Sequence, residues 1–381
     1  MFDDHRQRLA DAMSVRGAWP ARSPWTRQAV DALARHAFAP DRLWHWDGHA
    51  YVPVVRGTDP DRWAAEVYAG PDDAAVTRLA DGHPSSSLSC QAVVVDMLDA
   101  LLLDPGHRVL ELGTGTGWNA ALLGWRAGPG HVVSVEVDRE LAAEARRRLD
   151  DVRAGVTVEI GDGSAGWPGG APYDRVISTY AVDTVPWAWI AQTRPGGRIV
   201  TPWGRLGHVA LTVAADGRSA TGWVQGLATF MPARGTGAPS REYRDVRGTG
   251  DPDDERPARD MGPLHTDWNL RFAVRVALPE VRVRTAADAD GTNVWLHDGE
   301  ASWAMCAAVG DGRTVAYQGG PRRLADEVVR VWDWWSAEDE PSVYDWGMTV
   351  EPSRQTVWCR DPATSPRWRL AGPSDPLPAS A

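Results

Sequence analysis

The fold is decided by Val109-Leu-Glu-Leu-Gly-Thr-Gly-Thr-Gly117, in which a short apolar segment runs directly into a loop with glycine at every second position. Glycine lets the backbone turn tightly and lets a ligand approach without a clash at Cβ. The residues that follow, Trp118 to Trp125, predict a helix. A strand, a ligand-binding loop and a helix in succession are typical of the first crossover of a doubly wound sheet.

The same alternation of strands and helices continues on both sides of this loop. From about residue 85 to residue 235, apolar runs of strand length alternate with segments of helical periodicity. This order is typical of parallel βαβ units, and we expect an α/β fold with a doubly wound sheet. The predicted strands are Arg108–Leu112, Val132–Val137, Val156–Ile160, Asp174–Thr179, Arg198–Thr201 and Val209–Ala214, and the predicted helices are Gln91–Leu103, Trp118–Trp125, Glu140–Leu149 and Pro186–Gln192.

Acidic residues at the ends of three successive predicted strands indicate the ligand. The loop spacing is GxGxG, not the GxGxxG of dinucleotide enzymes, and Glu111 precedes it. A carboxylate there is unfavourable beside a pyrophosphate but favourable beside the ammonium of a methionine moiety, so we predict S-adenosylmethionine as cofactor. Glu136 lies where such folds place a carboxylate for the ribose hydroxyls, and Asp162 is placed to read an adenine amino group. Taken singly, Glu111 also fits a helix cap or a surface carboxylate, and Glu136 an exposed strand end.

Composition excludes several classes of function. The 381 residues carry a net charge of −11, which disfavours binding to nucleic acid. All 40 residues counted as lysine or arginine are arginine, so there is no lysine for a P-loop or a Schiff base. The three cysteines are scattered without metal-ligand spacing, and we predict no metal site. We find no signal peptide and no apolar stretch of the ~18 residues that span a bilayer, so we expect a cytoplasmic protein with no membrane partner.

The two ends of the chain differ from the central segment. We predict an N-terminal extension, partly helical, over residues 1–80, a cofactor-binding domain over 81–235, a linker over 236–264 and a C-terminal α+β module over 265–381. The stretch 234–262 is rich in Gly, Pro, Asp and Arg and predicts a long loop. The elements expected in the two ends are helices at Arg27–Phe38, Pro60–Val67, Asp72–Leu79 and Arg322–Trp335 and strands at Arg271–Ala277, Ser302–Val309 and Thr356–Cys359.

Tryptophan is unusually frequent, with 21 residues, and Trp332, Trp334 and Trp335 lie close together in the predicted C-terminal module. Core packing is the ordinary explanation for most of them. Tryptophan is also favoured at the energetic centres of binding surfaces, which would suit a peptide groove. Because the cofactor-binding motifs are complete before residue 235, we predict that the C-terminal module selects the substrate.

Residues 82–235 resemble the protein-L-isoaspartate O-methyltransferase family. The shared motifs are Ser89 eight residues before Met97, Val109 to Ala121, Gly161-Asp-Gly163, Ala171-Pro-Tyr-Asp-Arg-Val-Ile177, Val185-Pro186, Gln192-Thr-Arg-Pro-Gly-Gly197 and Thr201-Pro202. The combination is specific for the family and covers about two-fifths of the chain. One departure is Ser89-Cys90-Gln91, where repair enzymes of the family usually carry Ser-Gln-Pro.

The resemblance implies a methyltransferase site with named residues. Ser89 would be the catalytic residue that hydrogen-bonds the acceptor carboxylate, although a serine at this place also fits a helix N-cap. The cofactor-binding residues would be Glu111, Gly113, Thr114, Gly115, Gly117, Glu136, Val137, Asp162, Gly163 and Thr179. The substrate-binding residues would be Ser87, Leu88, Trp118, Phe230, Met231 and Pro232.

Within the family, the chain most resembles variants that accompany ribosomally made, modified peptides, such as ATP-grasp-ligated peptides and some lanthipeptides. The features are Ser85-Ser-Ser87, Ala181-Val-Asp-Thr-Val-Pro-Trp-Ala-Trp189 and the long extension after Arg234. The resemblance therefore implies methylation of an Asp or isoAsp carboxylate in a constrained precursor peptide. The alternatives are a general isoaspartyl repair enzyme, a non-catalytic module that binds S-adenosylmethionine, and a small-molecule or nucleic-acid methyltransferase.

Overall fold

The chain forms two compact units in the computed structural model. One unit comprises Met1–Pro232 with Thr349–Ser353, and the other comprises Ala233–Met348 with Arg354–Ala381. The structure describes residues 2–204, 206–233, 241–363 and 367–370.

The described residues form eleven α-helices and nineteen strands. The helices are α1 (Phe2–Val15), α2 (Trp25–Ala32), α3 (Pro60–Val67), α4 (Gln91–Leu101), α5 (Trp118–Ala127), α6 (Arg139–Asp151), α7 (Trp187–Ala191), α8 (Tyr243–Arg247), α9 (Gly262–Thr266), α10 (Trp268–Ala277) and α11 (Leu324–Ala337). The strands are β1 (Arg42–Trp46), β2 (Tyr51–Val55), β3 (Ala75–Ala80), β4 (His83–Leu88), β5 (Val109–Leu112), β6 (Val132–Glu136), β7 (Val156–Ile160), β8 (Tyr173–Ser178), β9 (Thr193–Trp203), β10 (Gly207–Val213), β11 (Ala220–Leu227), β12 (Asp254–Ala258), β13 (Arg282–Asp288), β14 (Gly291–His297), β15 (Trp303–Ala308), β16 (Thr314–Gly319), β17 (Trp346–Glu351), β18 (Arg354–Cys359) and β19 (Arg367–Arg369).

The first unit is built on a sheet whose strand order confirms the predicted doubly wound fold. The order is β11-β10-β9-β8-β5-β6-β7, and β7, β6, β5, β8 and β9 run parallel. β9, β10 and β11 form an antiparallel meander that follows the parallel strands. The chain leaves β5 toward β6 and β7 and then returns to β8 on the other side, so the order reverses between β5 and β8. Ligands bind at the carboxyl ends of the strands at such a reversal.

Burial explains why the central segments become strands. All four residues of β5 are buried, and so are five of the six residues of β8. Apolar strands covered on both faces are typical of parallel sheets packed between helices. Helix α6 begins where the Asp138 carboxylate accepts the N–H groups of Glu140 and Leu141, an N-cap that satisfies two otherwise unpaired donors.

The N-terminal segment contains more strand than predicted. Strands β1 to β4 form a second sheet in the order β2-β1-β3-β4, with antiparallel neighbours. The predicted helix at Asp72–Leu79 is wrong, because β3 occupies Ala75–Ala80. The predicted helix Arg27–Phe38 is real only in part: α2 ends at Ala32, and a short 3-10 turn follows.

The second unit holds a five-stranded antiparallel sheet in the order β12-β16-β15-β14-β13. Helices α10 and α11 pack against each other, and α11 also packs on the sheet. The predicted strand Arg271–Ala277 is wrong, since it lies in α10, whose N-cap carboxylate is Asp267. The prediction of a loop over 234–262 is also wrong where the structure describes it, because α8 and β12 fall there; residues 234–240 lie outside the described residues.

The three clustered tryptophans of α11 have different surroundings. Trp335 is buried at 3% exposure, and its indole N–H donates to the Pro341 carbonyl at 3.0 Å. The Trp334 ring packs edge-on against Trp346, with 5.7 Å between centroids. Trp332 is half-buried and carries the Arg259 guanidinium 4.5 Å from its ring centroid. Two of the three tryptophans thus belong to core packing, and Trp332 offers its ring beside a cation.

Candidate functional site

The glycine loop begins where the strand order reverses. Leu112, the last residue of β5, pairs with Ser178, the last residue of β8. The residue after β8, Thr179, donates from its N–H to the Leu112 carbonyl at 3.0 Å. Its hydroxyl donates to the carbonyl of Gly113. Thr179 therefore joins the two strand ends and forms the floor of the crevice, where it was predicted to bind cofactor.

Glycine is required at positions 113 and 115 of the loop for two different physical reasons. At Gly113, where φ is +94°, a Cβ would lie 2.5 Å from the Thr179 hydroxyl oxygen and 2.9 Å from the Tyr180 ring. Only glycine fits that position. At Gly115, where φ is +54°, no atom lies within 4 Å of an added Cβ. The backbone at Gly115 is therefore open to a ligand, as a cofactor cradle requires.

Glu136 holds this loop from the end of β6. Its side chain is 6% exposed, and Oε2 accepts the Gly115 N–H at 2.9 Å while Oε1 accepts the Asp138 N–H at 3.1 Å. Each carboxylate oxygen keeps a further lone pair, so the group can still accept two ribose hydroxyls. Val137, which follows it, is 54% exposed beside the crevice. This geometry fits S-adenosylmethionine, and the alternative of an exposed strand end for Glu136 is wrong.

Glu111 lies behind the loop and not in the open crevice. It is fully buried, with Oε1 accepting from Asn119 Nδ2 at 2.8 Å and Oε2 accepting from the Ser134 hydroxyl. The hydroxyls of Ser134 and Thr114 lie 2.6 Å apart. Burial, with a smaller contribution from Glu136, raises the pKa of Glu111 to about 7. The predicted direct contact with a ligand ammonium is therefore not what the structure shows, and the alternative of a surface carboxylate is wrong as well.

Asp162 and Gly163 form the third loop of the crevice, after β7. The exposed Asp162 carboxylate caps a 3-10 turn, accepting the Ser164 N–H at 2.8 Å. A Cβ on Gly163 would overlap the Tyr180 hydroxyl. Tyr180 thus reaches from Gly113 to Gly163, across the space between two loops. Burial, together with the charges of Asp162 and Glu136, raises the pKa of Tyr180, so its phenol is neutral near pH 7.

Ser89 lies between β4 and α4. The N-cap of α4 is Cys90, which makes no side-chain cap bond, so the alternative of an N-cap role for Ser89 is wrong. Its carbonyl accepts from Arg35 Nη1 at 2.7 Å, and its half-buried hydroxyl has no hydrogen-bond partner among the described residues. Ser87 is half-buried in β4. Leu88, also predicted to bind substrate, is 1% exposed in the core, so its side chain is not placed to contact a ligand.

Trp118 follows the glycine loop but faces inward. It is 2% exposed, and its indole N–H donates to the Leu33 carbonyl at 2.9 Å. The guanidinium of Arg35 lies over its ring, 4.7 Å from the centroid. The prediction that Trp118 walls the substrate site is therefore corrected: it supports the loop from behind.

The segment Phe230–Pro232 runs beside the loop after β8. The Ala181 N–H donates to the Met231 carbonyl at 2.8 Å, and Ala181 and Pro232 form a parallel bridge. Phe230 packs against the apolar core. The structure thus brings this predicted substrate segment next to Tyr180, at the edge of the crevice.

The comparisons with known proteins agree with this geometry. A family profile described as Protein-L-isoaspartate(D-aspartate) O-methyltransferase (PCMT) matches residues 54–226. The protein-L-isoaspartate O-methyltransferase of Hyperthermus butylicus is 35% identical over 232 residues, which are 57% of this chain and 83% of that protein. The chain belongs to the protein-L-isoaspartate O-methyltransferase family. It is a carboxyl O-methyltransferase that uses S-adenosylmethionine, with the class I methyltransferase fold.

A second relative and a solved structure are also similar to the chain. The protein-L-isoaspartate O-methyltransferase of Anaeromyxobacter dehalogenans (strain 2CP-C) is 48% identical over 154 residues, which are 39% of this chain and 70% of that protein. A solved structure of a protein-L-isoaspartate O-methyltransferase covers 95% of this chain and 100% of its own, with 21% identity and a TM-score of 0.49.

Three side chains at the site of this methyltransferase were not predicted from the sequence. Ser134 and Asn119 bind Glu111, and their signal is a polar residue within an apolar strand or helix. Tyr180 follows the strand-end threonine directly. Within the described parts of the chain, no group of three His, Cys, Asp or Glu residues is placed to hold a metal, and no helix is long and apolar enough to cross a membrane.

Proposed function

We propose that this methyltransferase transfers a methyl group to the side-chain carboxylate of an aspartate or isoaspartate residue in a peptide. The observation that carries the proposal is Ser89. Its hydroxyl has no hydrogen-bond partner among the described residues, while its carbonyl is fixed by a buried arginine. A hydroxyl held in this way is available to donate to a carboxylate oxygen.

The chemistry asks little of the protein beyond positioning. When bound, S-adenosylmethionine supplies an activated methyl group on a sulfonium. A carboxylate acceptor is already ionised at pH 7 and needs no general base. Ser89 orients the acceptor oxygen, and Glu136 with the loop at Gly115 holds the adenosine side. Positioning of this kind supplies several kcal/mol, up to about 7–11 in well-oriented intramolecular reactions.

The product is a methyl ester whose fate follows from peptide chemistry. The carboxylate oxygen forms a bond to the methyl carbon while the carbon–sulfur bond breaks and the sulfur leaves as a neutral thioether. Attack of the following backbone nitrogen on the ester then releases methanol and closes a succinimide. Hydrolysis of the succinimide yields aspartate or isoaspartate. With isoaspartate as substrate, the cycle converts the residue back to aspartate and so repairs the backbone. With aspartate as substrate, it introduces an isoaspartate linkage.

We favour a constrained, ribosomally made precursor peptide as the substrate, acted on in the cytoplasm. The support is the resemblance at Ser85–Ser87 and Ala181–Trp189 and the presence of a second folded unit beyond the methyltransferase unit. A general repair enzyme is the second candidate, and it is favoured by the names of the relatives.

A panel of three peptides separates these candidates. The first contains isoaspartate in a linear chain, the second contains aspartate at the same position, and the third is the aspartate peptide closed into a ring by a side-chain amide. Methyl transfer is read by intact mass, with a gain of one methyl group or the loss of water from the succinimide. Methylation of the ring alone supports the precursor peptide. Methylation of the linear isoaspartyl peptide alone supports repair, and no methylation of any of the three peptides with intact cofactor binding would contradict the proposal.

We also propose that the second unit selects the substrate, with Trp332 as a contact. Its ring is half-buried beside Arg259, whose guanidinium also pairs with Asp333 at 2.9 Å, so the indole offers an aromatic face to the peptide. Trp332→Ala should raise KM for the peptide that the panel identifies, while the affinity for cofactor stays unchanged. Trp335→Ala is the matched control: it removes a buried side chain and should lower the melting temperature instead. An unchanged KM in the folded Trp332 variant would contradict the proposal.

A further inference from the structure

Arg35 is buried within the first unit, with 2% exposure. Its guanidinium donates to three backbone carbonyls: Nη1 to Ser89 at 2.7 Å, Nε to Val67 at 3.1 Å and Nη2 to Leu88 at 3.5 Å. One face of the group lies on the Trp118 ring. The planar fork of arginine suits such simultaneous contacts, and a lysine ammonium cannot reproduce them.

The charge of this group is not neutralised by an acidic partner. Among the described residues, Arg35 forms no ion pair with a carboxylate, and Tyr68 and Cys90 are the titratable groups that act on it. Burial lowers the pKa of Arg35 to about 10, so the guanidinium is still charged near pH 7. A buried charge without a counter-charge is unfavourable for folding, and here only hydrogen bonds to backbone carbonyls and the contact with the Trp118 ring offset that cost. Stability alone is therefore a poor account of an arginine here.

We infer that Arg35 is a positioning residue for methyl transfer, acting through Ser89; this rests on the role of Ser89 proposed above. Arg35 connects the Ser89 carbonyl with the Trp118 ring, and Trp118 directly follows Gly117 of the glycine loop. The guanidinium thereby sets the separation between the serine that holds the acceptor and the loop that holds the cofactor. In-line methyl transfer depends on that separation, because a displacement of about 1 Å costs on the order of a hundredfold in rate.

The test compares Arg35→Lys and Arg35→Met with the wild-type enzyme. Dissociation constants for S-adenosylhomocysteine are measured by calorimetry, and kcat and KM are measured with the peptide that the wild-type enzyme methylates. We expect kcat to fall roughly tenfold for lysine and up to about a hundredfold for methionine, while the cofactor constant changes by less than about threefold. Arg175→Lys is the matched control, since Arg175 is also buried and donates to the Leu102 carbonyl at 2.9 Å, but on β8 opposite the first residue of β5. It should leave kcat unchanged.

A double-mutant cycle with Ser89→Ala distinguishes a positioning role of Arg35 from a purely structural one. The quantity compared is the loss of kcat with and without the Ser89 hydroxyl. If Arg35 acts through Ser89, Arg35→Lys should lower kcat by less than about twofold once the hydroxyl is gone, which is strong non-additivity. Additive losses in the cycle, or an unchanged kcat in folded Arg35→Met, would overturn the inference.

Should both arginine variants fail to fold, Trp118→Phe carries the test. It keeps an aromatic face for the guanidinium but removes the indole donor to the Leu33 carbonyl. A fall in kcat that disappears in the Ser89→Ala background supports the inference, and an unchanged or additive kcat overturns it. Failure of the proposed function looks different, because the wild-type enzyme would then methylate none of the three peptides; in that case the inference falls with it.

Discussion

The carboxylate of Glu136 accepts a hydrogen bond from the backbone N–H of Gly115, with 2.9 Å between Oε2 and N. One side chain therefore shapes the glycine loop, and we propose that its remaining lone pairs accept hydrogen bonds from the cofactor ribose. We expect Glu136→Ala to weaken binding of S-adenosylmethionine roughly ten- to a hundredfold, because hydrogen bonds to a charged group contribute about 1.5–3 kcal/mol. Isothermal titration calorimetry measures the change. Glu140→Ala, which removes a carboxylate that is 84% exposed, is the control and should leave the affinity unchanged; equal affinities in folded Glu136→Ala and wild type would refute the assignment.

The raised pKa of Glu111 predicts a pH-dependent stability. The carboxyl binds its proton more tightly in the folded state, with a pKa of about 7 against 4.5 for the ordinary group. The free energy of unfolding should therefore fall as pH rises from about 4.5 to about 7, with a slope of up to about 1.4 kcal/mol for each pH unit. In Glu111→Gln the amide oxygen can accept from Asn119 and the amide nitrogen can donate to Ser134, and this part of the pH dependence should disappear.

Denaturant unfolding of both proteins between pH 4.5 and pH 8 checks this expectation. Other titrating groups are common to the two proteins, so only the difference between their curves reports on Glu111. Parallel curves would show that the pKa of the Glu111 carboxyl is not raised in the folded protein.

Because Tyr180 lies close to Gly163, we expect the substitution Tyr180→Phe to restore stability that Gly163→Ala removes. An added Cβ on Gly163 would overlap the Tyr180 hydroxyl, and overpacking of this kind typically costs about 1–3 kcal/mol. Gly163→Ala should therefore lower the free energy of unfolding, and Tyr180→Phe in the same chain should restore most of the loss. Tyr180→Phe alone is the control and should change stability by less than about 0.5 kcal/mol. If Gly163→Ala lowered the free energy of unfolding equally in chains with Tyr180 and with Tyr180→Phe, the clash would not involve the Tyr180 hydroxyl.

Removal of the Ser89 hydroxyl should separate catalysis from stability. We expect Ser89→Ala to lower kcat/KM for the peptide roughly ten- to a hundredfold, because a donor to the acceptor carboxylate is lost. The melting temperature should stay close to that of the wild-type enzyme, since Cys90, not Ser89, is the N-cap of α4. Ser14→Ala, on the exposed side of α1, controls for serine removal as such. Normal turnover in Ser89→Ala would contradict the proposed role.

The sequence predicts best where one local pattern has one explanation. The run from Val109 to Gly117 combines a buried strand with a glycine loop, and the placement of Glu136 follows from the spacing of the next strand. Arg271–Ala277 is ambiguous, because a short apolar run with alternating Phe272, Val274 and Val276 suits a strand as well as a buried helix. The N-cap carboxylate of Asp267 is the signal for the helix.

The supports of the site lie beyond local patterns. Arg35 reaches carbonyls more than 50 residues away in sequence, and no spacing rule encodes such contacts. The buried carboxylate of Glu111 is held by the hydroxyl of Ser134, which lies on the neighbouring strand. Trp118 was predicted at the ligand and lies behind it, because residue order does not reveal which face of a helix is covered by another segment.

The contacts of Arg35 bear on how this chain can be dissected or recombined. A fragment that starts at residue 81 retains every cofactor motif and Ser89, but it loses the guanidinium on which the Ser89 carbonyl rests. A chimera that grafts the central sheet onto another scaffold meets the same problem. The shortest fragment that keeps the site intact therefore begins before Arg35. The added segment carries no recognisable ligand motif of its own.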